Sequence, residues 1–107
     1  MGIEMHYAAR KGDIEEMARL KAQGAGVNAK DNEGKTPMHS AASGGQVEAI
    51  KWLKEQGADV NARDNEGRTP LRLAVAEGKV EAIRWLKEQG ASINVKKNKG
   101  LKLVFSG

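Results

Sequence analysis

Apolar residues recur along the chain in short ladders rather than long blocks. Val47, Ile50 and Leu53 stand three residues apart with Trp52 beside them, and Val80, Ile83 and Leu86 with Trp85 repeat the arrangement. Ile14, Met17 and Leu20 are an earlier form of it. This spacing places the side chains on one face of a helix. A shorter segment precedes each of the two later ladders and opens on Thr36-Pro37 or Thr69-Pro70. Threonine caps a helix through its hydroxyl, and proline suits the first helical position, where its missing N–H costs nothing. Gly45 and Gly78 interrupt the chain about two turns later, where a positive φ is expected. Gly24, Gly57 and Gly90 stand where a left-handed C-terminal cap belongs. The Asp-Asn-Glu-Gly runs at 31–34 and 64–67 are turn chemistry. The pattern predicts turn, helix, turn, helix, repeated along the chain.

The repetition is literal. Residues 31–63 and 64–96 match at 20 of 33 positions without a gap. A more divergent copy lies before them, placing Ala8-Ala9 on Ala41-Ala42, Gly12 on Gly45, Leu20 on Leu53 and Val27-Asn28-Ala29 on Val60-Asn61-Ala62. A fourth copy starts at Lys97-Asn98-Lys99-Gly100 and stops before a second helix. The expected architecture is one all-α domain over 1–107. It is a helix-turn-helix solenoid of three helix pairs (about 1–30, 31–63 and 64–96) and a stub at 97–107. One such unit cannot bury its own apolar stripe, and about three must stack before the array is stable. The chain has only four aromatics, Tyr7, Trp52, Trp85 and Phe105. That scarcity argues against a single deep core and suits a shallow one shared between layers.

Charge changes this picture at one end. Lys96, Lys97, Lys99 and Lys102 supply the whole net charge of +4, since the remaining fourteen basic and fourteen acidic residues cancel. The absence of cysteine excludes disulfides, thiolate catalysis and cysteine-ligated metal, and fits a reducing compartment. The first thirty residues lack a signal-peptide core, and charges interrupt every apolar run well short of a membrane span. The expectation is an intracellular, cytoplasmic chain with no membrane association.

The motif Asp31, Gly34, Thr36, Pro37, His39, Ala41, Ala42, Gly45, Glu48, Leu53 and Gly57 through Ala62 resembles the ankyrin repeat, and the likeness covers residues 4 to about 100. The sequence departs from the family pattern at Arg72, which stands in the histidine position, and at Lys21, Lys54 and Lys87, which stand for a second leucine. Ser92 replaces the aspartate of the preceding unit, Val75 replaces Ala42, and the chain ends Leu101 to Gly107 in place of a helical cap. The resemblance implies non-catalytic binding of a protein partner on a concave surface of turn tips and first helices, without a cofactor. Carried onto matching positions, the tips are Asn32, Glu33, Lys35, Asn65, Glu66 and Arg68. The first-helix positions are Arg10, Lys11, Ser43, Gly44, Ala76 and Glu77, with Arg72 a further rim charge. Fold likeness alone is an associational ground for function.

Of the thirteen differences between the two best units, eight fall at 35, 38, 39, 40, 42, 43, 44 and 46. Two readings stand: a recognition surface released from stacking constraints, or neutral drift at exposed sites. His6 and His39 share a phase, and hydrogen bonding to the adjoining turn accounts for them better than a metal site, which needs more ligands converging on one point. Ser40 and Ser43 flank His39 without a third orienting residue, so no catalytic set is formed. Trp52 and Trp85, at identical phase, read as packing residues rather than binding anchors. The lysine cluster lacks interleaved aromatics and reads as a solvated tail rather than a nucleic-acid contact. The Leu103-Val104-Phe105 run is expected to seal the exposed end or to join two chains as a homodimer through that end. The rival to partner binding is a structural scaffold, engineered or cut from a longer array, that has no partner of its own.

Overall fold

The computed structural model describes residues 3–90. The stub, the lysine cluster and the Leu103–Phe105 run lie outside the described residues. Within them the chain forms six helices: α1 (Glu4–Lys11), α2 (Ile14–Ala22), α3 (Pro37–Ser43), α4 (Val47–Glu55), α5 (Pro70–Ala76) and α6 (Val80–Glu88). They make three pairs. The first helices α1, α3 and α5 pack in one row, and α2, α4 and α6 in a second row behind it. This is the helix-turn-helix array that the periodicity predicts.

The local chemistry that sets the boundaries is the expected one. Thr36 and Thr69 accept the backbone N–H three residues on, from His39 and Arg72, and Pro37 and Pro70 open the helices. Gly45 and Gly78 adopt φ of 70° and 68°, and this left-handed turn reverses the chain into the second helix of each pair. Asp13 caps α2 by accepting from Glu16 N–H. The equivalent residues of the later pairs, Gln46 and Lys79, make no cap to their own helices. Their side chains are spent on the neighbouring pair instead. The Gln46 amide donates to the Arg10 carbonyl at 3.2 Å, and the Lys79 stem lies over Gly45.

The core is a sheet of contacts between layers rather than a centre. Met5, Met17, Met38, Ile50, Leu53, Leu71 and Leu86 are fully buried. Around them lie Ala8, Ala9, Ala41, Ala42, Ala49, Ala74 and Ala82, which let successive helices approach closely. Trp52 and Trp85 are half-buried against this core, so both are packing residues in the structure.

Candidate interaction surface

Each tip loop is built around one aspartate. The Asp31 carboxylate accepts the N–H groups of Glu33 and Lys35 at 2.8 and 2.9 Å, and Gly34 turns the chain at φ 79°. Asp64 does the same for Glu66 and Arg68 at 2.9 and 2.8 Å, and its second oxygen takes the Arg68 guanidinium at 2.9 Å. Burial pushes both carboxyls up, but the two backbone donors outweigh it at Asp31 and hold the group below its usual range. At Asp64 the backbone donors and the guanidinium together have the same result.

The two tips are bonded to each other. Asn65 N–H donates to the Glu33 carbonyl at 2.9 Å, and its side-chain amide donates to the Asn32 carbonyl at 3.2 Å. A side chain at Gly34 would overlap Asn65. Of the tip residues in the expected site, Asn32, Glu33, Asn65 and Glu66 are exposed. Lys35 and Arg68 are half-buried. Lys35 pairs with Glu33 at 2.9 Å, and Arg68 holds Asp64 and approaches Glu66 at 3.8 Å. Their charges are therefore largely answered within their own loops.

The histidines carry the loops to the preceding helices. His39 is fully buried, and its Nε2 lies 2.7 Å from the Arg68 carbonyl of the next tip. A carbonyl only accepts, so Nε2 bears the proton and Nδ1 is bare. Nδ1 then accepts Thr36 N–H at 3.0 Å, closing a reciprocal cap with the threonine hydroxyl. Burial pushes the His39 ring down in pKa, and the Arg68 carbonyl only partly offsets this. His6 repeats the outward bond, 2.9 Å to the Lys35 carbonyl. Its Nδ1 is buried and unpartnered, because Ile3 stands where Thr36 would. Both histidines thus bond the adjoining turn. Among the described residues, no group of three metal-ligating side chains could hold an ion.

The first-helix positions form the other part of the expected surface. Arg10, Lys11, Arg72, Ala76 and Glu77 are exposed, while Ser43 and Gly44 are half-buried. A methyl at Gly44 would overlap the Arg10 carbonyl, so these two positions touch across the first junction. The eight variable positions separate differently from the expectation of a released surface. Met38, His39 and Ala42 are fully buried in the second pair. Their counterparts are Leu71, which is buried, and Arg72 and Val75, which are exposed. A first helix follows α3 but, among the described residues, none follows α5. Much of the divergence therefore tracks place in the stack.

Sequence reasoning missed the links between layers, among them one on the second-helix side. Asn28 accepts Asp59 N–H at 3.1 Å and donates to the Gly57 carbonyl at 3.3 Å, joining successive loops on the second-helix side. The recurrence of Asn28 at Asn61 is the signal that could have shown it.

A family model described as ankyrin repeats (3 copies) matches residues 5–97. No curated protein matches the chain.

Proposed function

Because the chain belongs to the ankyrin repeat family, whose members are generally protein-interaction modules and typically non-catalytic, we propose that it binds a protein partner through its first helices and tip loops. The contact residues are Arg10, Lys11, Asn32, Glu33, Lys35, Ser43, Gly44, Asn65, Glu66, Arg68, Arg72, Ala76 and Glu77. No helix among the described residues is long and apolar enough to cross a membrane.

One observation carries the reading. The tip backbones are fixed before any partner arrives, by Asp31 and Asp64 within each loop and by Asn65 between loops. Little ordering entropy is then lost on association, so modest contacts over a wide area add up. The exposed Arg10, Lys11, Arg72 and Glu77 supply rim charges, which govern partner choice and encounter rate more than affinity. Lys35 and Arg68 contribute mainly by holding the tips.

Site-specific photo-crosslinking tests this directly. A crosslinker at Ser43 or Ala76 captures the partner, and one at Glu55 or Glu88, on the second-helix side, does not. Capture from Glu55 and Glu88 alone would overturn the reading. No adduct from either side would favour the rival, a structural scaffold, for which the near-identity of α4 and α6 (VEAIKWLKE and VEAIRWLKE) is the supporting observation.

A further inference from the structure

The three first helices begin in chemically different ways. In the middle pair, the start of α3 is closed from both sides: Thr36 Oγ1 accepts His39 N–H at 3.4 Å, and His39 Nδ1 accepts Thr36 N–H at 3.0 Å. Thr36 Oγ1 also lies 3.0 Å from Nδ1. The threonine and the ring are both sealed from water, at 2% and 0% exposure. In the first pair Ile3 stands in the threonine's place, and His6 Nδ1 meets no donor. In the third pair Thr69 is present, but Arg72 stands in the ring's place and offers no acceptor. Among the described helices, only α3 has a start that depends on an unprotonated ring nitrogen.

The ring has no spare position for a second proton. Nε2 carries one, which the Arg68 carbonyl accepts at 2.7 Å, so a further proton must go to Nδ1. A ring with two N–H groups donates from both and accepts at neither. Thr36 N–H then faces another donor and is left buried without a partner, which is unfavourable. The Nε2 bond survives, because that nitrogen remains a donor. The third tip keeps its own ties as well, since Asn65 donates to the Glu33 and Asn32 carbonyls. The loss therefore falls on the Thr36–Pro37 corner.

We propose that Thr36 and His39 form a proton-operated latch on the start of α3: a proton at Nδ1 frees the Thr36 N–H and opens the first turn of α3, while the layers behind it stay packed. The charges that act on the ring come from the two tips. Asp64 and Asp31 favour the proton and Lys35 opposes it, while the Arg68 guanidinium is engaged by Asp64. Of the helices packed against α3, α1 buries one titratable group, His6, and α4 and α5 bury only apolar residues. Burial is the largest influence and holds the ring below its ordinary value near 6.5 while the latch is closed. Opening wets the ring and lifts that restraint, so the open form takes up the proton first. By linkage the latch is fully closed above about pH 6.5 and opens as pH falls through the closed-form value. This inference concerns α3 itself and stands without any partner.

NMR of the full chain from about pH 7 to 4, the range that spans a histidine's titration, reads both halves of the latch. The His39 ring resonances follow proton uptake. Hydrogen exchange of the Thr36 amide, taken relative to its rate in an unfolded chain, follows opening. Thr36 protection is expected to fall at least about tenfold across the ring's titration, as the loss of a buried hydrogen bond implies. Leu53 in α4 keeps its protection. His39→Gln supplies a side chain that can still accept Thr36 N–H but takes up no proton, so its Thr36 protection stays level over the same range. Circular dichroism confirms that the variant retains its helices, and if it does not fold the wild-type measurement decides alone. A ring that titrates while Thr36 stays protected overturns the proposal. So does simultaneous loss of protection at Thr36 and Leu53, or the same acid loss in His39→Gln.

Discussion

Helices α3 and α5 occupy the same place in successive units, open on the same Thr-Pro pair and have seven residues each, yet they differ at most positions. The helices behind them, α4 and α6, differ only at Lys51 and Arg84. The contrast lies in their neighbours. His39 and Ala42 on α3 are sealed by the following unit, where His39 bonds Arg68 and small Ala42 allows close approach. Arg72 and Val75 on α5 face no described helix and are free to be long or branched. A position in this molecule is constrained by what lies on the next layer, and the same repeat position can be core in one unit and surface in the next.

The sharpest way to break that comparison is one deletion made in two layers. Ile50→Ala removes a fully buried side chain and is expected to cost about 2–5 kcal/mol in urea unfolding. Ile83→Ala, on the partly exposed counterpart, costs well under half as much. Equal losses would mean that α6 is as covered as α4.

Gly44 and Glu77 give the next contrast. Gly44 has φ −83°, so alanine is conformationally allowed there, and only the overlap with the Arg10 carbonyl opposes it. Gly44→Ala is expected to lower stability by about 1–3 kcal/mol. Glu77→Ala, at an exposed site, changes it by no more than about 0.5 kcal/mol. Thermal unfolding of both variants checks the pair.

The caps come third. Thr36→Ala is expected to cost about 1 kcal/mol. Ile3→Thr supplies the cap that α1 lacks and a partner for the buried His6 Nδ1; it is expected to raise stability by about 0.5–1 kcal/mol. A fall in melting temperature for Ile3→Thr would show that His6 does not copy His39.

The last contrast is read across pH. The His39 ring is held below its ordinary value near 6.5 in the fold, so the unfolded chain takes up a proton first. The contribution of neutral His39 is therefore complete above about pH 6.5 and is lost as pH falls through the folded value. Asp31 and Asp64, whose folded values are lowered from 3.8, add a second loss as pH falls below that range. Urea midpoints from pH 7 to 3 should show both steps, and His39→Gln should remove only the upper one.

Much of the fold was legible because its rules are local. The Thr-Pro starts, the glycine turns and the three-residue ladders each act within a few residues, and the 33-residue period multiplied them. The histidines were also read correctly as bonds to the adjoining turn. What the sequence did not show was contact between layers. The buried divergence at Met38, His39 and Ala42 resembles surface variation until the stacking is known. Gln46, Lys79 and Asn28 look like ordinary polar residues, although each crosses to a neighbouring unit. Lys35 and Arg68 read as tip positions of a partner surface, because nothing local shows how closely Glu33 and Asp64 answer their charges.

Amide hydrogen exchange tests the central claim most directly, because α4 and α6 have nearly the same sequence and hence nearly the same intrinsic exchange rates. If the next layer sets each helix's role, the amides of α4 from Ile50 to Glu55 exchange more slowly than those of α6 from Ile83 to Glu88. Equal protection in the two helices, or greater protection in α6, would contradict the account.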